Sequence, residues 1–258
     1  SNTINLGANL ASTGNLSLTT FSPSVSMGLG DGATGTYNLT NAELSKIQDG
    51  FSQINIYDNA AFGFGAAMDI NTFTFADPVA ITADSIAFDA NANLGANNLN
   101  VTGRNSVTLT GDIRGSTAHV NLVGTNFSNT VTVTSTGSIA TGGDINLSAD
   151  GVTMAGSLTG TGSSLNITGS TGLNATGGTI VGGDTDTGSA YNTNINLTTY
   201  AAGSGLTLGS VDTGGNLVVS GDLVVLGPLS ADGSVLSVTG TTGITGQTIT
   251  GAAGTNVS

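Results

Sequence analysis

From residue 79 onward, apolar and polar positions alternate in short bursts, and the bursts recur about every twenty residues. The first burst of each repeat reads apolar, polar, apolar. It centres on Leu99-Asn100-Val101, Val120-Asn121-Leu122, Ile145-Asn146-Leu147, Leu165-Asn166-Ile167 and Ile195-Asn196-Leu197, then on Leu217-Val218-Val219 and Leu236-Ser237-Val238. Their first residues lie 21, 25, 20, 30, 22 and 19 apart. A second burst follows at Val107-Thr108-Leu109, Val131-Thr132-Val133, Val152-Thr153-Met154, Leu206-Thr207-Leu208 and Leu223-Val224-Val225. A third carries one apolar residue: Ile113, Ile139, Leu158, Val211 or Leu229. The repeat opening at Leu165 is weaker, with only Leu173 and Ile180 after its first burst.

Side chains alternate across a strand, so each burst turns two residues inward and one outward. One such coil buries almost nothing alone, whereas stacked coils share a continuous core. The pattern therefore predicts an all-β fold: a right-handed parallel β-helix, or β-solenoid, with about three strands per coil. At about 22 residues per coil the chain makes roughly ten to twelve coils. The outward residue of the first burst is Asn in five successive coils, from Asn100 to Asn196, which stacks these amides in a column. Corners read Gly-Asp at Gly111-Asp112, Gly143-Asp144 and Gly221-Asp222. Gly supplies positive φ and Asp bonds its own backbone, and both suit tight turns.

Residues 1–75 keep strands, such as Asn15-Leu16-Ser17-Leu18 and Ile54-Asn55-Ile56, but lose the rhythm. Thr40 and Glu43 form a capping box, and Leu39 and Leu44 stand at the positions of a hydrophobic staple. A short helix is expected over 41–49, ended by Gly50. Five phenylalanines gather here, at 51, 62, 64, 73 and 75, and are read as packing around the helix and side loops. The organisation expected is one continuous solenoid, with 1–75 irregular and helix-bearing and 76–258 regular. The chain starts and stops within the pattern and shows no polar cap, so it is read as a piece of a longer molecule.

Composition narrows the function. There are 41 Gly but 3 Pro among 258 residues, which fits turns between stacked strands and excludes collagen-like or Pro-rich disorder. The formal net charge is −13, with three cations, Lys46, Arg104 and Arg114. Nucleic-acid binding needs a basic footprint and is excluded. No run of about 20 apolar residues exists to span a membrane. There is no cysteine, so the core alone must hold the fold.

The stretch from Gly28-Leu29-Gly30-Asp31-Gly32 through Tyr37-Asn38-Leu39-Thr40-Asn41-Ala42-Glu43-Leu44 to Ile47-Gln48-Asp49-Gly50-Phe51 looks like a segment of very large bacterial β-strand-repeat surface proteins. With the rhythm of residues 79–258, the chain resembles the filamentous-haemagglutinin-like and autotransporter-type secreted β-helix proteins. The amino-terminal secretion domain of that family is not recognisable. The resemblance implies an extracellular or cell-surface location. It also implies adhesion or fibre building, with self-association end to end or laterally and with surface glycans or proteins as partners.

Candidate chemistry is sparse. The alternative function is a carbohydrate-active β-helix enzyme, lyase-like or glycosidase-like, or a carbohydrate-binding stalk. Lyases of this shape need a base and a carboxylate cluster, but Arg104 and Arg114 lie on different sides of one coil with no clustered carboxylate in the same strand. Glycosidases need two carboxylates flanking a sugar, and the aspartates here fall mostly in corners. No enzyme chemistry is expected, and the single His119 reads as an edge residue. Asp184 and Asp186 stand two apart before Gly188, like the start of a calcium loop, although the later ligands are missing. They are the metal candidates, and calcium is the only ion considered. Asn-x-Ser/Thr triplets such as Asn146 and Asn166 arise from the strand pattern and are read as poor glycan acceptors. In the late coils the outward slots turn apolar at Val218 and Val224, beside Leu226, which marks an assembly surface.

Overall fold

A computed structural model describes residues 2–3, 6–22, 24–58, 66–126, 129–134, 136–183, 192–233, 235–246, 248–251 and 256–257. It is a β-solenoid of about 8 turns, 63% strand and 2% helix, with every pairing parallel. Three ladders of stacked strands form its three faces. On face one, Ile54, Val79, Leu99, Val120, Ile145 and Leu165 occupy equivalent positions in consecutive turns. On face two the equivalents are Met68, Ile86, Val107, Val131, Val152 and Leu173. On face three they are Ile113, Ile139, Leu158, Ile180, Val211 and Leu229.

The apolar beat thus maps onto the ladders residue for residue. All these side chains are at most 3% exposed and belong to one hydrophobic core that runs from Met27 to Val238. Each fully buried aliphatic side chain contributes about 1.5–3 kcal/mol relative to exposure. No coil could hold this alone, since its apolar surface is covered only by the coils above and below. The turns number about 8 rather than ten to twelve. Among the described residues before Gln53 no strand lies on face three, and the interval from Leu165 to Ile195 is stretched to 30 residues.

The weak repeat resolves cleanly. A single strand, Ser164–Gly182, bends round all three faces and places Leu165, Leu173 and Ile180 one on each. One register differs from the expectation. In the strand Leu217–Leu226, Val224 stacks between the core residue Leu206 and Ile244 of the following turn, so Val224 and Leu226 face inward, and Leu223 and Val225 face out. The run Leu223–Leu226 is apolar throughout, so alternation cannot choose its register, and a slip of one residue swaps the faces. Turn length chooses instead: Val224 follows Leu217 by seven residues, as Val152 follows Ile145.

The corner glycines serve a purpose other than positive φ. The positive-φ glycines among the described residues are Gly30, Gly32, Gly50, Gly95 and Gly203, none of them in the Gly-Asp corners. A Cβ at Gly143 would lie 2.2 Å from the Ala118 carbonyl oxygen of the previous turn, and one at Gly111 would lie 2.4 Å from the Ala90 carbonyl. Glycine is needed there because the backbones of successive turns touch.

The irregular quarter is built on the same axis. Strands Met27–Leu29 and Tyr37–Leu39 extend face two beyond Ala67–Ile70. Residues 40–51 then lead from face two to face one, the route that the third strand takes in later turns. The helix lies on this route. Its capping box is present: the Glu43 N–H donates to Thr40 Oγ1 at 3.3 Å, and the Thr40 N–H donates to Glu43 Oε2 at 2.8 Å. Leu39 and Leu44 are buried in the common core. The helix covers only Asn41–Leu44 rather than 41–49. Backbone bonds from Leu10 N–H to the Lys46 carbonyl and from Gln48 N–H to the Leu10 carbonyl pull the next residues into a parallel bridge. Phe51, Phe75 and Phe88 are core residues, and Phe73 meets Phe75 edge to face at a centroid distance of 4.2 Å. Phe62 and Phe64 lie outside the described residues.

Candidate functional site

Outward side chains of a solenoid also stack, so each face and corner carries a ladder of its own. On face one, Asn100, Asn121, Asn146, Asn166 and Asn196 are in register. The Asn166 amide donates to Asn146 Oδ1 and the Asn196 amide to Asn166 Oδ1, both at 2.8 Å. The side-chain amides of Asn166 and Asn196 are thus spent within the column.

The corner before face one carries a second ladder. In it, a side-chain acceptor in one turn caps the backbone N–H of the equivalent residue in the next. Asn98 Oδ1 accepts from His119 N–H at 2.9 Å, His119 Nδ1 from Asp144 N–H at 3.1 Å, and Asp144 Oδ1 from Ser164 N–H at 2.8 Å. Asn194 and Asn216 repeat the bond further on. His119, expected to be an edge residue, is one rung of this column, with an imidazole in place of an amide. Burial pushes the Asp144 carboxyl up, but hydrogen bonds from Ser164 N–H and Ser163 Oγ and the nearby His119 together hold it below the usual carboxylate range.

Charge concentrates near the irregular quarter. Arg104 donates from Nη2 to Asp58 Oδ1 and from Nε to Asp84 Oδ1. The three side chains, 13%, 3% and 9% exposed, come from three successive turns at the corner between faces one and two. Burial pushes the guanidinium pKa down, but the hydrogen bonds and charges of the two aspartates outweigh it and raise it. The carboxylates missing from the strand of Arg104 are thus supplied by neighbouring turns. The signal was present: Asp58, Asp84 and Arg104 follow the stacked face-one residues Tyr57, Thr82 and Thr102 by one, two and two residues.

An open groove of about 720 Å³ lies on face two, over the strands Ala67–Ile70, Val79–Phe88 and Leu99–Leu109. Its floor is formed by small outward residues, including Ala67, Ser85, Ala87, Ser106 and Thr108, and its wall by Ser26 and Thr34–Thr36. Two carboxylates line it, Asp69 and Asp89. Thr34 fixes Asp69 by donating to Oδ2 from its N–H at 2.5 Å and its Oγ1 at 2.7 Å. Asp69 Oδ1 is buried and meets no donor among the described residues. Burial, the Asp69 charge and a hydrogen bond with the Asp69 carboxyl together push Asp89 above the usual carboxylate range. Neither aspartate was among the candidates that the sequence pattern singled out. Asp69 occupies the outward slot of face two, where later turns have Ala87, Thr108, Thr132, Thr153, Asn174 and Thr207, so a charge there departs from the ladder.

The other predicted positions scatter. Asp184 and Asp186 lie outside the described residues. Val218 is half-buried on face one, stacked between Asn196 and Ser237. Val224 and Leu226 are core residues, 0% and 3% exposed, and form no surface. The apolar outward pair is Leu223 and Val225, 47% and 38% exposed, flanked by Gly205 and Thr207 on one side and Gly243 and Thr245 on the other. Among the described residues, no three His, Cys, Asp or Glu side chains converge as a metal site, and no helix is long and apolar enough to cross a membrane. No protein-family model, curated protein or solved structure matches the chain.

Proposed function

We propose that this chain is a structural rod segment of a fibrous, secreted or surface-exposed protein of the filamentous-haemagglutinin-like kind, with an adhesive groove near its irregular end. The observation that carries the reading is the stack itself. Three parallel ladders share one core from Met27 to Val238, and the outward columns of face one and the corner before it are closed by hydrogen bonds between turns. Such an arrangement resists bending and tension, because every turn is bonded to its neighbours along the axis. It suits a spacer or fibre better than a mobile catalyst. Electron microscopy of the negatively stained protein, with sedimentation in parallel, tests this. Rods roughly 40 Å or more in length, at about 4.8 Å per turn, support it, and round particles refute it. Longer filaments would add end-to-end assembly.

A specific observation favours an adhesive role beside the mechanical one. The groove on face two is roomy enough for a ligand of a few hundred Å³, and among the described residues its two carboxylates enter no ion pair. Binding of soluble oligosaccharides, screened as a panel against this chain, tests that part.

A further inference from the structure

The corner column before face one has one rung unlike the others. Asn98, Asn194 and Asn216 cap the next turn with uncharged carboxamides, and Asp144 does so with a carboxyl that its donors hold low. His119 uses an imidazole, the side-chain type that takes up a proton between about pH 8 and 5. Its Nδ1 has two neighbours on Asp144. The Asp144 N–H donates to it at 3.1 Å, and Asp144 Oδ2 lies 3.3 Å away. One nitrogen cannot serve both. A neutral imidazole with its proton on Nε2 offers the Nδ1 lone pair and accepts from the N–H. An imidazolium carries N–H on both nitrogens and has no lone pair to offer. It can only donate to Oδ2, and the Asp144 N–H then loses its acceptor.

The surroundings leave this choice to the proton. The preceding turn meets His119 with Asn98, whose Oδ1 accepts from the His119 N–H at 2.9 Å. The following turn packs Gly142 and Gly143 against Ser116, Thr117 and Ala118, and Asp144 is the charged group that it brings to the ring. Asp112 and Arg114, earlier in the turn of His119, pair with each other. Asp144 Oδ1 is fixed by the Ser164 N–H at 2.8 Å and Ser163 Oγ at 3.0 Å, so Oδ2 is the oxygen left for the ring. The imidazole is more than half exposed and exchanges protons with bulk water directly. The ladder bond from Val120 N–H to the Asp144 carbonyl, at 2.9 Å, does not involve the ring and holds the two turns together in either state. We propose that His119 is a proton-operated joint in the corner column. Neutral, it caps the Asp144 backbone. Protonated, it releases that N–H and pairs with the Asp144 carboxylate. In mild acid the side-chain link between these two turns changes from a backbone cap to an ion pair, while the neighbouring rungs keep their bonds. The joint is independent of the groove on face two, and the rod stands without it.

The test is nuclear magnetic resonance of the isotopically labelled protein between about pH 7.5 and 5.5. At the upper pH the ring nitrogens are expected to report a proton on Nε2 alone. On acidification, protection of the Asp144 amide, corrected for the intrinsic pH dependence of exchange, is expected to fall about fivefold or more, in step with the His119 ring signals. The Val120 amide is expected to keep its protection. His119→Asn supplies the carboxamide that Asn98 and Asn194 use, and is expected to keep the Asp144 amide protected at both pH values. His119→Ala removes the acceptor and is expected to leave that amide poorly protected at both. A proton on Nδ1 at the upper pH overturns the joint. So does protection at Asp144 that ignores the ring titration, or an equal acid loss in His119→Asn, which would assign the effect to carboxylates.

Discussion

The regular turns and the first quarter are stabilised by different means. From Leu99 on, polar contacts between turns are mostly neutral and repeat: amide to amide along face one, side-chain acceptor to backbone N–H at the corner. The first quarter uses a helix and two extra face-two strands, and a charged triad ties its Asp58 to Asp84 and Arg104 of the next two turns. Where each turn resembles the last, a side chain meets its own kind and the bond repeats without specific design. Where the path departs from the repeat, each contact must be made individually, and charge collects there.

The contrast can be broken in order of effect. Val224→Asp places an unpaired charge in the core and is expected to cost about 4–5 kcal/mol or more, enough to unfold the late turns. Leu223→Asp, one residue earlier but facing out, is expected to change stability by less than about 0.5 kcal/mol. Urea melts followed by far-UV circular dichroism read both, and equal effects would contradict the register. Arg104→Ala strands Asp58 and Asp84 in a buried site and is expected to cost about 3–5 kcal/mol. Replacing all three charges together, by Asp58→Asn, Asp84→Asn and Arg104→Met, is expected to recover most of that loss in the same melts. If the triple variant is as unstable as the single one, the triad is not an electrostatic unit.

Smaller perturbations sharpen the comparison. Thr40→Ala removes the helix cap and should cost about 1 kcal/mol. Asn166→Ala interrupts the amide column at two bonds and should cost about 0.5–1.5 kcal/mol. Thermal melts would show both, and only the Asn166 variant should loosen turns on either side of the change.

Acid separates the carboxylates by sign. Asp144 and Asp112 have folded pKa values below their unfolded ones: Asp112 is lowered by hydrogen bonds from Ser138 and Arg114, and Asp144 by its Ser164, Ser163 and His119 contacts against burial. Each contributes stability that is present above the unfolded pKa, near 3.9, and is lost as pH falls through the folded value. Asp89 is the reverse, raised by burial and by Asp69, so it favours the fold only while protonated and its ionisation is unfavourable at neutral pH. Asp89→Asn is therefore expected to be neutral or stabilising at pH 7, while Asp144→Asn is expected to be destabilising there and to lose its effect in strong acid. Denaturant midpoints measured from pH 2 to 7 would show the opposite slopes.

Much of the fold could be read from the pattern because the repeat states each inward position several times. Leu99, Val120, Ile145 and Leu165 are one position in four copies, and an error in one is corrected by the others. Legibility failed where alternation was lost. Leu223–Leu226 is apolar at every residue, and only turn length and the stacked neighbour Leu206 set its register. The helix ended early because Leu10, remote in sequence, competes for the backbone of residues 46–48. The Asp58, Asp84 and Arg104 triad and the Asp69 and Asp89 pair were missed for one reason. Their members lie 20 or more residues apart, and only stacking brings them together.

The account stands on one continuous stack of three ladders, and native-state hydrogen exchange tests it most directly. It predicts that amides of all three faces, from Val79 through Leu229, exchange slowly and with similar protection. Rapid exchange along one whole face, with the other two still protected, would show that the third ladder does not form and would contradict the rod.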